Sequence, residues 1–188
     1  MISFRPAKRE DCRSIAELYS ISSDGVADYI WAKSAKPGEE ILDVGERRYE
    51  REDSVFSYLN CTIVEVGGEV AGMMVAFPMT SSDEIDEDPV LAPYSRLEED
   101  NSYYICGMAL FPEHRGKGIG HQLLAMAKQQ AKIRGFNKLS LIVFEQNAEA
   151  KRLYETVGYK EVDREKIIPH PLIPHTGYAI LMVCELEE

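Results

Sequence analysis

The chain has 188 residues, of which 45% are hydrophobic and 28% charged, as is usual for a globular protein with one domain. Its 21 Lys and Arg residues against 32 Asp and Glu residues give a net charge of −11. This balance argues against a general nucleic-acid binder and an anionic-membrane binder, because both need a basic face. It favours the attraction of a cationic substrate.

Cysteine usage and the first residues indicate the compartment. The four cysteines are far apart, with no Cys-x-x-Cys pair and no His at ligand spacing: Cys12, Cys61, Cys106 and Cys184. We therefore expect neither a disulfide framework nor a metal site. Segment 1–11 carries charges where a signal peptide is apolar, and no stretch approaches transmembrane length. A cytoplasmic protein is expected, and a homodimer is left open.

The N-terminal part of the chain predicts a strand, three helices and a hairpin. Ile2 to Arg5 alternates apolar and polar residues and stops at Pro6, and Asp11 is placed to cap the helix that follows. Pro37 has the position of a residue in the first turn of the third helix. Gly67-Gly68 predicts a tight hairpin turn. The second helix and the two hairpin strands are predicted at 24–35, 58–66 and 69–77.

The C-terminal part begins with an acidic segment, Thr80 to Asp100, which we interpret as a surface loop without a core of its own. Tyr103 to Phe111 is almost continuously apolar, which is typical of a central strand buried on both faces. Asn147 is placed to cap a short helix that Gly158 ends. The remaining helix and strands are predicted at 118–134, 139–144, 159–167 and 178–186.

The order of these elements predicts the fold class. A strand–helix–strand crossover between long apolar strands implies a parallel pair within a mixed sheet. The predicted class is therefore α/β, or α+β by a stricter definition.

The segment Pro112 to Gly120 lies between the apolar strand and an amphipathic helix and contains three glycines. Glycines leave backbone N–H groups uncovered, the helix N-terminus adds partial positive charge, and Arg115 and Lys117 add full charges. This combination suits a pyrophosphate. The alternative is a glycine-rich turn with solvated basic residues. The segment lacks the third glycine of a dinucleotide fingerprint and the Gly-Lys-Ser/Thr of a phosphate loop.

Arg115, Gly118 and Gly120 resemble the acyl-CoA loop of the GNAT superfamily of N-acetyltransferases, whose signature is Arg/Gln-x-x-Gly-x-Gly/Ala. A second family block is similar to Asn147, Ala150, Leu153, Tyr154, Gly158 and Tyr159. The opening FRPAKREDCRSIAELY is similar to the family's first strand and helix. The resemblance covers nearly the whole chain, most specifically 103–160. It implies a mixed, mostly antiparallel central sheet flanked by helices, in one domain over 1–188 with an acidic loop at 80–101, and acetyl-CoA as cosubstrate.

The resemblance also implies roles for individual residues. The pantetheine arm would pair with the preceding strand at Met108 and Leu110, and a free N–H near Leu110 would polarise the thioester carbonyl. Gly107 would permit a bulge there, or close packing. Asn147 would bind the pantetheine, cap its helix, or do both. Tyr154 would protonate the departing sulfur or pack as a core aromatic. The CoA pyrophosphate would be cradled by the amides of Arg115, Gly116, Lys117, Gly118, Ile119 and Gly120.

The acceptor half of the site is less defined by the sequence. An alkylammonium of pKa about 10.4 must lose a proton before it attacks, so a base or a water chain is expected. His170 and His175 would line the acceptor pocket or serve as turn residues. The acidic segment directly precedes the central strand, so we expect its carboxylates near the acceptor. Candidates for the base, each with a surface or packing role as the alternative, are Glu98, Glu99, Asp100, Tyr103, Tyr104 and Glu145.

Three functions remain open at this point. The first is an N-acetyltransferase whose acceptor, a small cationic amine or else a protein N-terminus or lysine, attacks acetyl-CoA directly in a ternary complex. The second is a CoA-binding regulatory module without turnover. The third is a structural domain whose glycine-rich loop binds nothing.

Overall fold

The computed structural model describes residues 1–81 and 84–187, and within them seven strands form one mixed sheet. The strands are β1 (Ile2–Pro6), β2 (Cys61–Val66), β3 (Glu69–Met79), β4 (Ser102–Leu110), β5 (Lys138–Phe144), β6 (Lys160–Lys166) and β7 (Tyr178–Glu185). Their order is β1-β2-β3-β4-β5-β7-β6. β4 and β5 are parallel, whereas β1–β2, β2–β3, β5–β7 and β6–β7 are antiparallel. The predicted fold class is confirmed.

Helices flank the sheet. They are α1 (Cys12–Ser23), α2 (Val26–Ser34), α3 (Ile41–Tyr49), α4 (Ala92–Arg96), α5 (Ile119–Ile133) and α6 (Ala148–Thr156). Short 3₁₀ turns lie at Arg9–Asp11, Tyr58–Asn60 and Pro112–His114. Over the described ranges, none of the helices combines the length and the apolar character that a membrane span requires.

The chain divides into two compact units, and the first comprises 1–76, 107–117 and 172–174. Val66 pairs with Glu69 across Gly67-Gly68, which confirms the predicted hairpin. The three N-terminal helices share an aromatic core, in which the Tyr19 ring lies 6.1 Å from the Trp31 ring and 5.5 Å from the Tyr49 ring. Trp31 and Tyr49 are fully buried.

Two predictions about this unit need correction. Asp11 is the N-cap residue of α1, as predicted, but its side chain makes no capping hydrogen bond, because the buried carboxylate accepts the Lys8 amide at 2.7 Å and pairs with Arg5 at 2.7 and 2.9 Å. The hydrogen bond from Arg5 is the main reason why the pKa of Asp11 is lowered. Pro37 is not in the first turn of a helix, since α3 begins only at Ile41. Pro37 lies instead in a turn closed by the bond from the Glu39 amide to the Lys36 carbonyl.

The second unit comprises 77–106, 118–171 and 175–188. All of its residues except 82, 83 and 188 are described. β5 pairs with β7 along its whole length, and Tyr103 to Ile105 pair in parallel with Leu139 to Leu141. α5 buries Leu123, Leu124, Ala127 and Ala131, which follow the predicted apolar stripe. β4 alternates buried and half-buried positions and is therefore not buried on both faces as predicted.

The acidic segment also differs from the prediction. It contains α4 and buries Ala92, Pro93 and Leu97, so it contributes to the core of the second unit. The amide of Asn101 donates to the carbonyl of Met79 at 3.1 Å, which closes the segment at the start of β4. Ser82 and Asp83 of the predicted loop lie outside the described residues.

Candidate active site

The glycine-rich segment turns sharply before α5. Gly116 and Gly118 have φ of +71° and +75°, values that L side chains rarely adopt. Nε of Arg115 donates to the Leu110 carbonyl at 3.2 Å, and Nζ of Lys117 donates to the Glu113 carbonyl at 2.9 Å. Both cationic side chains thus bond to the backbone beside the turn and are exposed.

The N-terminus of α5 has hydrogen-bond donors to spare. Gly118 is its N-cap residue and has no side chain that could accept from the first turn. Within the described ranges, the amides of Ile119, Gly120 and His121 have no acceptor, as helix geometry leads us to expect. A Cβ at Gly116 or Gly118 would have no neighbour within 4 Å, so the backbone borders open space. These residues fit a pyrophosphate group.

Gly120 has a different reason to be glycine. A Cβ at this position would lie 3.1 Å from Cδ2 of Leu153, which is tighter than an ordinary contact. Gly120 therefore lets α6 pack closely against α5. A second contact between the two helices lies further along α5, where Nζ of Lys128 donates a hydrogen bond to the Val157 carbonyl at the end of α6.

The end of β4 carries the predicted thioester-binding residues. Met108 and Leu110 are half-buried and alternate with buried Ala109. The Leu110 side chain covers Gly72, where a Cβ would lie 2.3 Å from Cδ2 of Leu110. A Cβ at Gly107 would lie 2.7 Å from Oγ of Ser22 and 2.9 Å from Tyr19, which supports the close-packing interpretation of that glycine.

Helix α6 holds the other two predicted residues, one near each end. Oδ1 of Asn147 accepts the Ala150 amide at 3.3 Å, so Asn147 is the N-cap residue. Nδ2 of Asn147 has no acceptor among the described residues and remains able to donate to a ligand. Tyr154 lies in the last turn of α6 and is partly exposed.

The carboxylates at the end of the acidic segment have partners within the second unit. Glu99 pairs with Lys138, and Asp100 accepts the Ser81 amide at 3.0 Å. Both residues precede β4, which begins at Ser102. Their location near the acceptor stays a prediction. The hydroxyl of Tyr103 donates to Gln130 at 3.1 Å, and burial raises the pKa of Tyr103 and Tyr104.

A different part of the acidic segment reaches the carboxyl end of β5. The Tyr94 ring of α4 meets Phe144 edge-on at 6.1 Å, and the His175 ring stacks on Phe144 at 4.2 Å. Burial raises the pKa of Tyr94 to about 12, so its hydroxyl stays protonated. Glu145 follows directly and pairs with Arg164 at 3.2 Å. No pattern along the chain predicts this cluster, because Tyr94 and Phe144 are 50 residues apart.

The two remaining predictions concern His170 and metals. His170 forms an isolated bridge next to the turn at 171–172, and its place in the acceptor pocket stays a prediction. Within 1–81 and 84–187, no group of three or more His, Cys, Asp and Glu side chains is arranged to hold a metal ion.

The mixed sheet and the open N-terminus of α5 agree with the class that the family comparison shows, the acetyltransferases. The family model described as "Acetyltransferase (GNAT) family" matches residues 18–159. The chain therefore belongs to the GNAT family, and it is an acetyl-CoA-dependent N-acetyltransferase.

Three curated relatives carry acetyltransferase names. The uncharacterized N-acetyltransferase YycN of Bacillus subtilis is 43% identical over 60 residues, which are 32% of this chain and 38% of that protein. YhfO of the same organism, also named an uncharacterized N-acetyltransferase, is 28% identical over 160 residues, 85% of this chain and 91% of YhfO. The [ribosomal protein bS18]-alanine N-acetyltransferase of Haemophilus influenzae is 38% identical over 80 residues, 42% of this chain and 53% of that enzyme.

Solved structures share the fold. The GNAT family acetyltransferase of Elizabethkingia anophelis, determined with acetyl-CoA bound, superposes with a TM-score of 0.62 at 17% identity and covers 98% of each chain. At that identity the likeness is evidence for the fold alone.

Proposed function

We propose that this protein moves the acetyl group of acetyl-CoA to the primary amine of a small cationic molecule, which attacks the thioester directly in a ternary complex. The observation that carries the proposal is the start of α5, where the amides of Ile119 to His121 have no acceptor among the described residues. Arg115 and Lys117 add positive charge to the turn before them. An anion is the ligand that such a helix N-terminus favours.

Each predicted residue then has a specific task. The backbone of 115–120 would hold the pyrophosphate, and the backbone at Met108 and Leu110 would hold the pantetheine arm. Nδ2 of Asn147 would donate to a carbonyl of that arm. The cosubstrate supplies an acetyl group activated as a thioester. The Leu110 amide would donate to the carbonyl oxygen as negative charge develops on it.

The departing sulfur must gain a proton, and the attacking amine must lose one. The amine nitrogen bonds to the carbonyl carbon, and the C–S bond breaks with its electron pair going to sulfur. The phenol of Tyr154 would give its proton to that sulfur, and the proton lost by the amine would go to a base or to water. Of the candidates for this base, Glu145 follows the carboxyl end of β5, two residues before Asn147. Its present partner is Arg164.

The surroundings of Phe144 support a cationic acceptor. Tyr94 and His175 lie against the Phe144 ring, and aromatic faces attract ammonium groups. Glu145 adds a carboxylate beside them, and the whole chain has a net charge of −11. A cation would be drawn to such a surface, and salt would weaken that attraction.

A second acceptor class is a protein N-terminus. It is favoured by the 38% identity with the enzyme named for an alanine of ribosomal protein bS18, although that match covers 42% of this chain. The chemistry would be the same, because an α-amino group of pKa about 8 loses its proton even more readily than an alkylammonium.

We also propose that the reaction takes place in the cytoplasm. Cys12, Cys61, Cys106 and Cys184 are all free thiols, which suits a reducing compartment.

The test is release of free thiol from acetyl-CoA over a panel of acceptors. The panel contains a polyamine, an aminoglycoside, a peptide that begins with alanine and a peptide with an internal lysine. The same compounds with their amines already acetylated are the controls. Turnover with the small amines and not with their acetylated forms supports the proposal. Turnover confined to a peptide transfers the proposal to a protein acceptor.

Two further outcomes would overturn enzymatic turnover. Thermal stabilisation by CoA without thiol release for any acceptor would indicate a binding module, since a ligand at 100 times its Kd adds about 2.7 kcal/mol. Neither stabilisation nor release would indicate a structural domain. Glu145→Gln provides the second arm: if Glu145 is the base, the variant has a lower kcat at neutral pH and keeps its affinity for acetyl-CoA.

A further inference from the structure

The C-terminal end of α6 is closed by a specific backbone motif. The Tyr159 amide donates to the Tyr154 carbonyl at 3.0 Å, and the Gly158 amide donates to the Glu155 carbonyl at 3.2 Å. These two bonds, with Gly158 at φ of +102°, constitute a Schellman motif. The carbonyl of Tyr154 is therefore held by a hydrogen bond from Tyr159, in the turn that ends α6.

The same motif brings two aromatic side chains together. A hydrophobic contact often joins the residue after the αL glycine to the last turn of the helix, and here those residues are Tyr159 and Tyr154. Their ring centroids are 5.9 Å apart with an angle of 58° between the planes. Tyr159 is 2% exposed, whereas Tyr154 is only half-buried. A partly exposed phenol thus lies beside a buried ring.

The turn that follows α6 and carries Tyr159 also contacts β7 and α5. A Cβ at Gly158 would lie 3.6 Å from Sγ of Cys184, so the turn rests against β7. Lys128 of α5 donates to the Val157 carbonyl at the end of α6, where the helix dipole is negative. The last turn of α6 is therefore fixed to both α5 and β7 of the same unit.

The hydroxyl of Tyr159 does not explain why this residue is aromatic. Its Oη is buried and has no hydrogen-bond partner among the described residues. A buried hydroxyl without a partner costs about 1–3 kcal/mol, so the oxygen does not stabilise the fold. The aromatic ring, which packs beside the ring of Tyr154, is therefore the part of the side chain to which we assign a role.

We propose that Tyr159 is a positioning residue whose ring orients the phenol of Tyr154 for proton transfer. This inference rests on the proposed function, in which Tyr154 protonates the departing sulfur. As the amine nitrogen bonds to the acetyl carbon, the C–S bond breaks and its electron pair goes to sulfur. The proton of Tyr154 Oη passes to that sulfur, and the phenolate regains a proton from solvent. A phenol free to rotate would spend most of its time out of line for this transfer.

The experiment compares Tyr159→Leu with its matched control Tyr159→Phe, each in the wild-type and Tyr154→Phe backgrounds. Single-turnover rates are measured so that chemistry limits the signal. Tyr159→Phe keeps the ring and should stay within about twofold of the wild-type rate. Tyr159→Leu should lower the rate about 10- to 100-fold while the Kd for acetyl-CoA remains unchanged. In the Tyr154→Phe background, Tyr159→Leu should cause no further loss, because the group it orients is absent.

A second readout is independent of turnover. With 3-fluorotyrosine at 154, the fluorine resonance without ligand should be sharp in the wild-type protein and in Tyr159→Phe. In Tyr159→Leu it should move towards the position of a free fluorotyrosine. If Tyr159→Leu fails to fold, Gly158→Ala strains the same turn while it retains both rings, and it should show the same dependence on Tyr154.

The two proposals fail in different ways. An unchanged rate in Tyr154→Phe alone would refute the proton donor, and the positioning role with it. A normal effect of Tyr154→Phe, combined with equal losses from Tyr159→Leu in both backgrounds, would leave the donor intact and refute the positioning role. An unshifted fluorine resonance in Tyr159→Leu would refute it as well.

Discussion

Gly118→Ala separates the strain of a left-handed residue from the loss of an anion cradle. Gly118 has φ of +75°, and a Cβ there would meet no protein atom within 4 Å. The variant therefore creates no clash within the folded protein. Its cost in stability is the backbone penalty of about 1–2 kcal/mol for an L residue in this region. For a chain of this size that lowers Tm by about 2–8 °C.

The binding cost has a separate origin. In the variant the new methyl group occupies open space next to the first turn of α5, where we propose that the pyrophosphate binds, or the turn shifts and changes the direction of the α5 amides. Losing one charge-assisted hydrogen bond costs about 1.5–3 kcal/mol, so the Kd for acetyl-CoA should rise about 10- to 150-fold. Lys117→Ala removes only an exposed charge worth up to about 1 kcal/mol and should raise the Kd by less than about sixfold.

Gly38→Ala is the matched control. Gly38 lies in the turn before α3 with φ of +79°, and a Cβ there also meets nothing within 4 Å. It should lose the same stability in urea unfolding and bind acetyl-CoA like the wild type in calorimetry. If Gly118→Ala binds acetyl-CoA as tightly as Gly38→Ala, the cradle at the start of α5 is refuted.

Three further predictions concern the fold around the site. Asp11→Asn should lose about 1.5–3 kcal/mol at neutral pH, because the pKa of the carboxyl is lowered chiefly by its bond to Arg5. A carboxyl whose pKa is lowered in the folded protein stabilises the fold at pH values above its pKa in the unfolded chain, about 3.9. The difference in the free energy of unfolding between variant and wild type, measured in urea, should therefore shrink below pH 4 and not above it. Gly107→Ala should cost about 1–3 kcal/mol by overpacking, and unchanged stability would contradict the close contact. Glu99→Gln and Lys138→Gln should each lower the free energy of unfolding by up to about 1 kcal/mol, because each removes the same ion pair. Glu99→Gln should leave the KM for the amine unaltered, and a raised KM would indicate that Glu99 contacts the acceptor.

The sequence determined the parts of the protein that depend on neighbours along the chain. Gly67-Gly68 specifies its hairpin because two adjacent residues without Cβ adopt the turn locally. Asn147 and Gly158 specify both ends of α6 for the same reason, since caps are satisfied within a few residues. The glycine-rich turn before α5 could also be read directly, because a helix N-terminus exposes its own amides.

Only the tertiary structure decided what lies against these local elements. Gly120 fits a signature for cofactor binding, yet the contact that restricts it comes from Leu153, 33 residues later. Glu99 pairs with Lys138, 39 residues later, because the fold brings the start of β5 beside the end of the acidic segment. The cluster of Tyr94, Phe144 and His175 is assembled from three separate elements. Such contacts depend on packing between distant segments, and no pattern of adjacent residues encodes them.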